Sequence, residues 1–363
     1  MTSARQPVVD AHLDIAWNVL KGRDYDLTAA EIRSREGAST TTRCMVTLPE
    51  LERGDVAVAF ATLYTGTNSY DSDGAGIYKT APDVDARRQL DVYLGWEAEG
   101  KVRIVRDRGA LDAHLDAWAG DGKLGLVVLI EGGDSITSPD HLPEWWEAGV
   151  RIIGPAWSAT RYCGGTRRPG GITPLGAELV AGMCELGFVL DASHLAEEAF
   201  WDAIELGPGR MIATHSNVRT LVPGGRLITG DRQLSDEMIR AIGEHDGVIG
   251  LNLFNGFLVP HWEAAIVGKL IPHLLAGPPA VGDANDVTLD AVRAHASHIA
   301  GLIGWDRVGI GSDLDGGLGV DETPAELESA ADLRRIGEVA PPEARAGVLG
   351  ENWLRFLQGA LPA

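Results

Sequence analysis

The chain has 363 residues, 45% of them hydrophobic, which is ample for a large buried core and somewhat beyond the size at which a single core usually stops growing. With 31 Lys and Arg against 52 Asp and Glu, its net charge of −21 argues against nucleic acid and anionic membrane surfaces as partners and favours a small-molecule substrate. Gly and Pro are scattered without a low-complexity tract, no run reaches the roughly 18 apolar residues of a membrane helix, and the opening MTSARQPVVDAHLD has no apolar signal core, so a cytoplasmic protein is expected.

In chain order, the first predicted strand is Val8–Asp14, followed by a long excursion over Asn18–Leu51. A second strand, Val56–Leu63, precedes an amphipathic helix at Pro82–Glu99. Leu124–Ile130 and Arg151–Ile153 are the third and fourth strands. Gly187–Asp191 is the fifth, leading into a helix at Glu197–Glu205. Met211–Thr214 is the sixth, with a capped helix at Ser235–Glu244 after it. Val248–Leu253 is the seventh, followed by a Gly- and Pro-rich insertion over Phe254–Asp286 and a helix at Thr288–Leu302, before the eighth strand at Val308–Gly311. Eight strands alternating with helices predict a single (β/α)8 TIM barrel over residues 1–363, with inserted loops at the C-terminal face, where such barrels build their active sites.

The polar residues cluster at that face. His12 and Asp14 stand two apart at the end of the first strand, a spacing that puts both side chains on one side of the sheet. Glu131 directly follows the third strand, and Gly132 and Gly133 leave room beside a carboxylate whose two oxygens can bridge two cations. His194 and His215 emerge just beyond the fifth and sixth strands, and Asp313 and Asp315 follow the eighth in RVGIGSDLDGG, either one suited to general acid or base work. Each residue alone also fits a turn or a helix start; together, after strands one, three, five, six and eight, they form a donor set of imidazole nitrogens and carboxylate oxygens that suits two divalent metal ions, zinc foremost.

Cys44, Cys163 and Cys184, an odd number without CxxC spacing, read as ordinary buried thiols. His114, His141, His245, His261, His273, His295 and His298 read as surface or helix residues, and Phe254–Pro260 as apolar wall for the pocket.

The series HLD, EGG, DASH, THS and GSDLDG, with RGDVAVAFATLY, DRQLSDEMIRAI and the closing VLGENWLRFL, resembles the renal (membrane) dipeptidase family of zinc peptidases almost end to end. The resemblance implies that His12 and Asp14 bind one metal, that Glu131 bridges, and that His194 and His215 bind the second. It also implies that Asp313 handles the proton of the attacking water, that Arg232 grips the substrate carboxylate, and that the protein is a homodimer. One position departs from the family pattern: where the dipeptidases carry a substrate-binding histidine after the fourth strand, this chain has RIIGPAWSATRYCGG, with Trp157 at that place. An indole donates one hydrogen bond and carries no charge. The expectation is therefore a dipeptidase, or else a metal hydrolase of a lactam, cyclic amide or ester, or a relative without catalysis, with Arg161, Tyr162 and Arg168 as candidates to compensate.

Overall fold

A computed structural model describes residues 5–36, 42–66, 69–70, 76–77, 80–222, 232–262 and 286–363. Eight parallel strands form a nearly closed barrel: β1 (Val8–Leu13), β2 (Val56–Tyr64), β3 (Gly125–Glu131), β4 (Val150–Gly154), β5 (Val189–Asp191), β6 (Arg210–Ile212), β7 (Ile249–Leu251) and β8 (Val308–Ile310). Neighbours pair in sequence order, β8 returns to β1 with Ile310 opposite Asp10, and a bridge between Ala213 and Ile249 links β6 to β7. Every predicted strand is present, with boundaries shifted by at most two residues.

The strands read as near-continuous apolar runs because both faces are covered, and β2 and β3 are buried almost throughout. One core cluster takes Val9, Phe60, Val127, Ile152, Val189 and Ile212 from β1 to β6 and ties them to Trp353 and Phe356 of the C-terminal helix Asn352–Ala360. Burying such side chains contributes about 1.5–3 kcal/mol each. The Trp353 indole also donates to the Ile310 carbonyl at 3.0 Å, which sets that helix against β8.

The helices begin where capping chemistry places them. Ser235 accepts from the Met238 amide ahead of Asp236–Glu244, and Thr288 accepts from the Asp290 amide ahead of Leu289–Ile303. Pro82 starts Pro82–Ala98, and Glu197–Leu206 follows β5. Helices outside the sequence expectation include Arg108–Asp121, Pro174–Leu186 and the C-terminal helix. Within the first excursion, Ala29–Glu36 and Leu48–Arg53 are helical, whereas most of the Phe254–Asp286 insertion, including His273, lies outside the described residues.

One sequence reading needs correction, and another is sharpened. Cys184 is exposed, on the outer side of Pro174–Leu186, while Cys44 and Cys163 are buried as expected. His114 and His295 lie on helices as expected but are fully buried, each spending a ring nitrogen on a backbone carbonyl, Ala57 at 2.8 Å and Leu258 at 3.1 Å. Among the described residues, no helix is long and apolar enough to cross a membrane.

Candidate metal centre

The alternation of β1 sends Asp10 and His12 to the same side, and Asp14 follows at the strand's end. Glu131 closes β3, and the backbone then turns through Gly132 at φ +93°, a conformation that favours glycine. His194 and His215 lie three residues past β5 and β6, and Asp313 lies three past β8. All are buried. His194 (φ +68°) and Asp313 (φ +61°) hold left-handed backbone conformations, a strain that often accompanies functional sites.

The carboxylate of Glu131 divides this corner in two. Its Oε2 stands 3.5 Å from His12 Nε2, while its Oε1 stands 3.1 Å from His194 Nε2 and 3.5 Å from His215 Nε2. Donor atoms of His12, Glu131 and His215 lie within 4.8 Å of one another, as do those of His12, Asp14 and Asp313. The two groups share His12, whose ring stacks on His215 at 3.5 Å and whose buried Nε2 has no hydrogen-bond partner.

Outer partners fix these donors. Thr214 Oγ1 donates to Asp191 Oδ2 at 2.5 Å, so its lone pairs must accept from the Nδ1–H of His215 at 2.8 Å. That leaves the His215 Nε2 lone pair facing Glu131 and the His194 Nε2, 3.0 Å away. Asp191 also accepts from the amides of Ser193 and Thr214, and Thr62 donates to Asp14. Asp10 accepts from Ser312 and the His12 amide, joining β8 to β1 beneath the corner.

Without a cation the electrostatics favour neutral forms. Burial raises Asp14 to about 7, helped by Glu131, and raises Glu131 and Asp313 each to about 8. Burial, reinforced by neighbouring positive groups, holds His194 and His215 well below the ordinary imidazole range. An orphaned imidazole nitrogen, two further nitrogens pointed at each other, and carboxylates deprived of water are what a divalent cation would satisfy. The donor set fits such ions.

Asp313 and Asp315 separate cleanly. Asp313 faces the cavity and is held by Asn252 Nδ2 at 2.9 Å. Asp315 turns away, accepts from the amides of Met45 and Val46 and pairs with Arg23 at 2.9 Å, so it fastens the first excursion to β8. Gly316 lets Asp313 and Asp14 converge: a Cβ there would lie 2.0 Å from Asp313 Oδ1 and 3.0 Å from Asp14 Oδ2.

The centre opens into a cavity of about 330 Å³. Its walls include Trp157, Tyr64 and Trp17 on one side and, as the sequence suggested, Phe254 and Phe257. Trp157 packs edge-on against Tyr64 at 5.4 Å and tilts toward His194 at 6.2 Å. Arg232 is fully buried at the wall, donating to the His215 carbonyl at 2.6 Å and Ser216 Oγ at 3.0 Å, while its Nε has no partner. Two of the candidates to compensate for Trp157 are engaged elsewhere: Arg161 binds Asp134, and the Tyr162 hydroxyl donates to the Ile136 carbonyl. The cation of this loop that does line the cavity is Arg167, which sequence reasoning missed, as it missed Tyr64, Thr166 and Asn252. Arg167 sits in a turn with no apolar period to orient it, and only its place beside Arg168 in GTRRPG hinted at a hairpin tip.

The model of the membrane dipeptidase family, peptidase family M19, matches residues 2–360. A Klebsiella pneumoniae protein described only as lying in the pqqA 5' region is 30% identical over 68% of this chain and 86% of its own length. An uncharacterized dipeptidase of Schizosaccharomyces pombe is 23% identical over 90% of this chain and 72% of its own. Among solved structures, the metallopeptidase dipeptidase AC of family M19 is 24% identical with a TM-score of 0.75, covering 99% of this chain and 100% of that one. A Rhodobacter sphaeroides metallopeptidase solved with a phosphinate mimic of the dipeptide L-Ala-D-Ala is 22% identical with a TM-score of 0.74, covering 98% and 99%. These likenesses agree with the barrel, and the match over nearly the whole chain decides its kinship: it belongs to the membrane dipeptidase family, peptidase family M19, and is a metal-dependent, dipeptidase-like hydrolase.

Proposed function

We propose that this hydrolase cleaves the amide bond of dipeptides or similarly small N-acyl amino acids with two divalent ions, zinc foremost, in the corner around Glu131. The observation that carries the reading is the division of Glu131, with one oxygen toward His12 and the other toward His194 and His215. His12 and Asp14 would hold one ion, His194 and His215 the other, and Glu131 both. Ions so placed supply Lewis acidity, polarising a carbonyl and acidifying water.

The remaining chemistry belongs to side chains. Asp313, held in line by Asn252, takes the proton released on attack and delivers it to the leaving amine. Arg232 presents an unpartnered Nε–H, and a guanidinium suits the carboxylate of the leaving amino acid. The bound phosphinate dipeptide mimic of the Rhodobacter relative supports a dipeptide-sized substrate for this barrel. Trp157 and the aromatic walls exclude water from one side of the cavity and favour an apolar substituent there.

The test is a panel of dipeptides, with D as well as L residues at the C-terminal position, assayed on zinc-loaded protein alongside elemental analysis. Turnover with two metal equivalents per chain is expected. Two equivalents with activity only on lactams, cyclic amides or esters would transfer the reading to those bonds, for which Trp157 in place of the family's histidine is the motivating feature. A protein that takes up no metal would end both.

A further inference from the structure

The connection after β4 brings a second cation to the cavity. Cys163–Gly165 and Arg168–Ile172 pair antiparallel with Gly165 opposite Arg168, so Thr166 and Arg167 form a two-residue hairpin turn. Arg167 holds φ +68°, left-handed backbone that a residue with a Cβ adopts only when its surroundings impose it. Here they do. The Thr166 amide donates to the His194 carbonyl at 3.0 Å, its carbonyl accepts from Ser158 Oγ at 2.8 Å, and its hydroxyl lies 3.0 Å from His194 Nδ1. Gly165 bridges Leu195 on the same loop. The turn is thus fastened to the loop that presents His194.

The consequence is a guanidinium at the cavity mouth. Arg167 is exposed, lines the cavity, and lies 5.8 Å from the centre of the Trp157 ring, whose face attracts a cation. In a chain of net charge −21, this cavity wall holds two arginines, Arg232 buried and Arg167 at the rim.

We propose that Arg167, braced on Trp157, is a specificity-determining residue that selects substrates carrying an anionic group on the acyl side of the scissile bond, such as an N-terminal Glu or Asp or a dicarboxylic acyl group. This rests on the amide-hydrolysis reading above. With the leaving amino acid's carboxylate on buried Arg232, the other end of the substrate extends toward the rim, where a cation attracts a carboxylate and repels an extra positive charge. Trp157 is uncharged and supplies an apolar face for the guanidinium and for the substrate's methylene groups. An exposed guanidinium is screened by solvent and salt, so the selectivity is modest, roughly fivefold in kcat/KM, and weakens as ionic strength rises.

The experiment compares isosteric pairs, Glu-Ala with Gln-Ala and Asp-Ala with Asn-Ala, on the full-length zinc-loaded enzyme, its Arg167→Gln and Arg167→Lys variants, and both salt extremes. Thermal unfolding verifies that each variant is folded. The expected result is a preference for the acidic member carried by KM, reduced at high salt, reduced to about unity in Arg167→Gln and partly kept in Arg167→Lys. A wild-type ratio of one or less overturns the proposal, as does a ratio that Arg167→Gln leaves unchanged. No turnover of the four while other dipeptides of the panel are cleaved overturns this proposal alone, whereas no turnover of any panel dipeptide overturns the parent reading and this one with it.

Discussion

The two sides of the cavity are built differently. His12, Asp14, Glu131, His194, His215 and Asp313 lie within three residues of a barrel strand, and their positions are held by backbone ladders and by buried carboxylates such as Asp10 and Asp191. Arg167, Arg232 and Phe257 stand farther out on the connections, and Trp157, though only three residues past β4, is held by ring contacts, so this side rests on side-chain contacts and a hairpin turn. A (β/α)8 barrel keeps its reactive groups where the sheet makes geometry rigid and leaves discrimination to loops that can vary without disturbing it. Such a division would let a residue such as Trp157 vary while the corner around Glu131 keeps its geometry.

The largest expected effect falls on the strand side. Asp313→Asn should lower kcat on the order of 10²–10⁴-fold while metal content by elemental analysis persists. Metal lost together with activity would make Asp313 a ligand beside His12 and Asp14, as their proximity also permits. On the loop side, Arg232→Gln should raise KM for carboxylate-bearing substrates on the order of 10²-fold, the usual consequence of removing one partner of a buried charge pair. An unchanged KM would show that the anchor lies elsewhere.

Thr214→Val tests the outer support of the centre. It removes the hydroxyl that orients His215 and binds Asp191, and should weaken metal affinity about 10–100-fold in a chelator competition titration. Affinity within about twofold of wild type would mean that the barrel alone orients the imidazole.

The smallest effect concerns a histidine with no part in the chemistry. His295 is fully buried, accepts from the Val218 amide at 3.1 Å, and burial depresses it from 6.5 to about 4. Its stabilisation is therefore complete above pH 6.5 and is lost as pH falls toward about 4, on the order of 3 kcal/mol in total. Denaturant unfolding across that range should show His295→Gln less stable at neutral pH, by about 1–3 kcal/mol, yet with a shallower acid decline. Equal slopes would assign the decline to other groups, His114 first, since burial depresses it too.

The sequence by itself determined the eight strands, because residues buried on both faces leave continuous apolar runs, and it singled out the buried polar corner, because a residue at the end of such a run or within three residues of it has few directions in which to point. Strand-end position alone separated neither Asp313 from Asp315, which only the family resemblance did, nor a buried histidine from an exposed one, since those outcomes rest on partners far along the chain: Asn252 for Asp313, Met45 and Val46 for Asp315, Val218 and Leu258 for His295. Tertiary structure alone turned Arg161 toward Asp134 and brought Arg167 to the cavity. The two lie in one short loop, and nothing periodic tells them apart; the hairpin register and the bond from Thr166 to the His194 carbonyl decide which guanidinium faces the site.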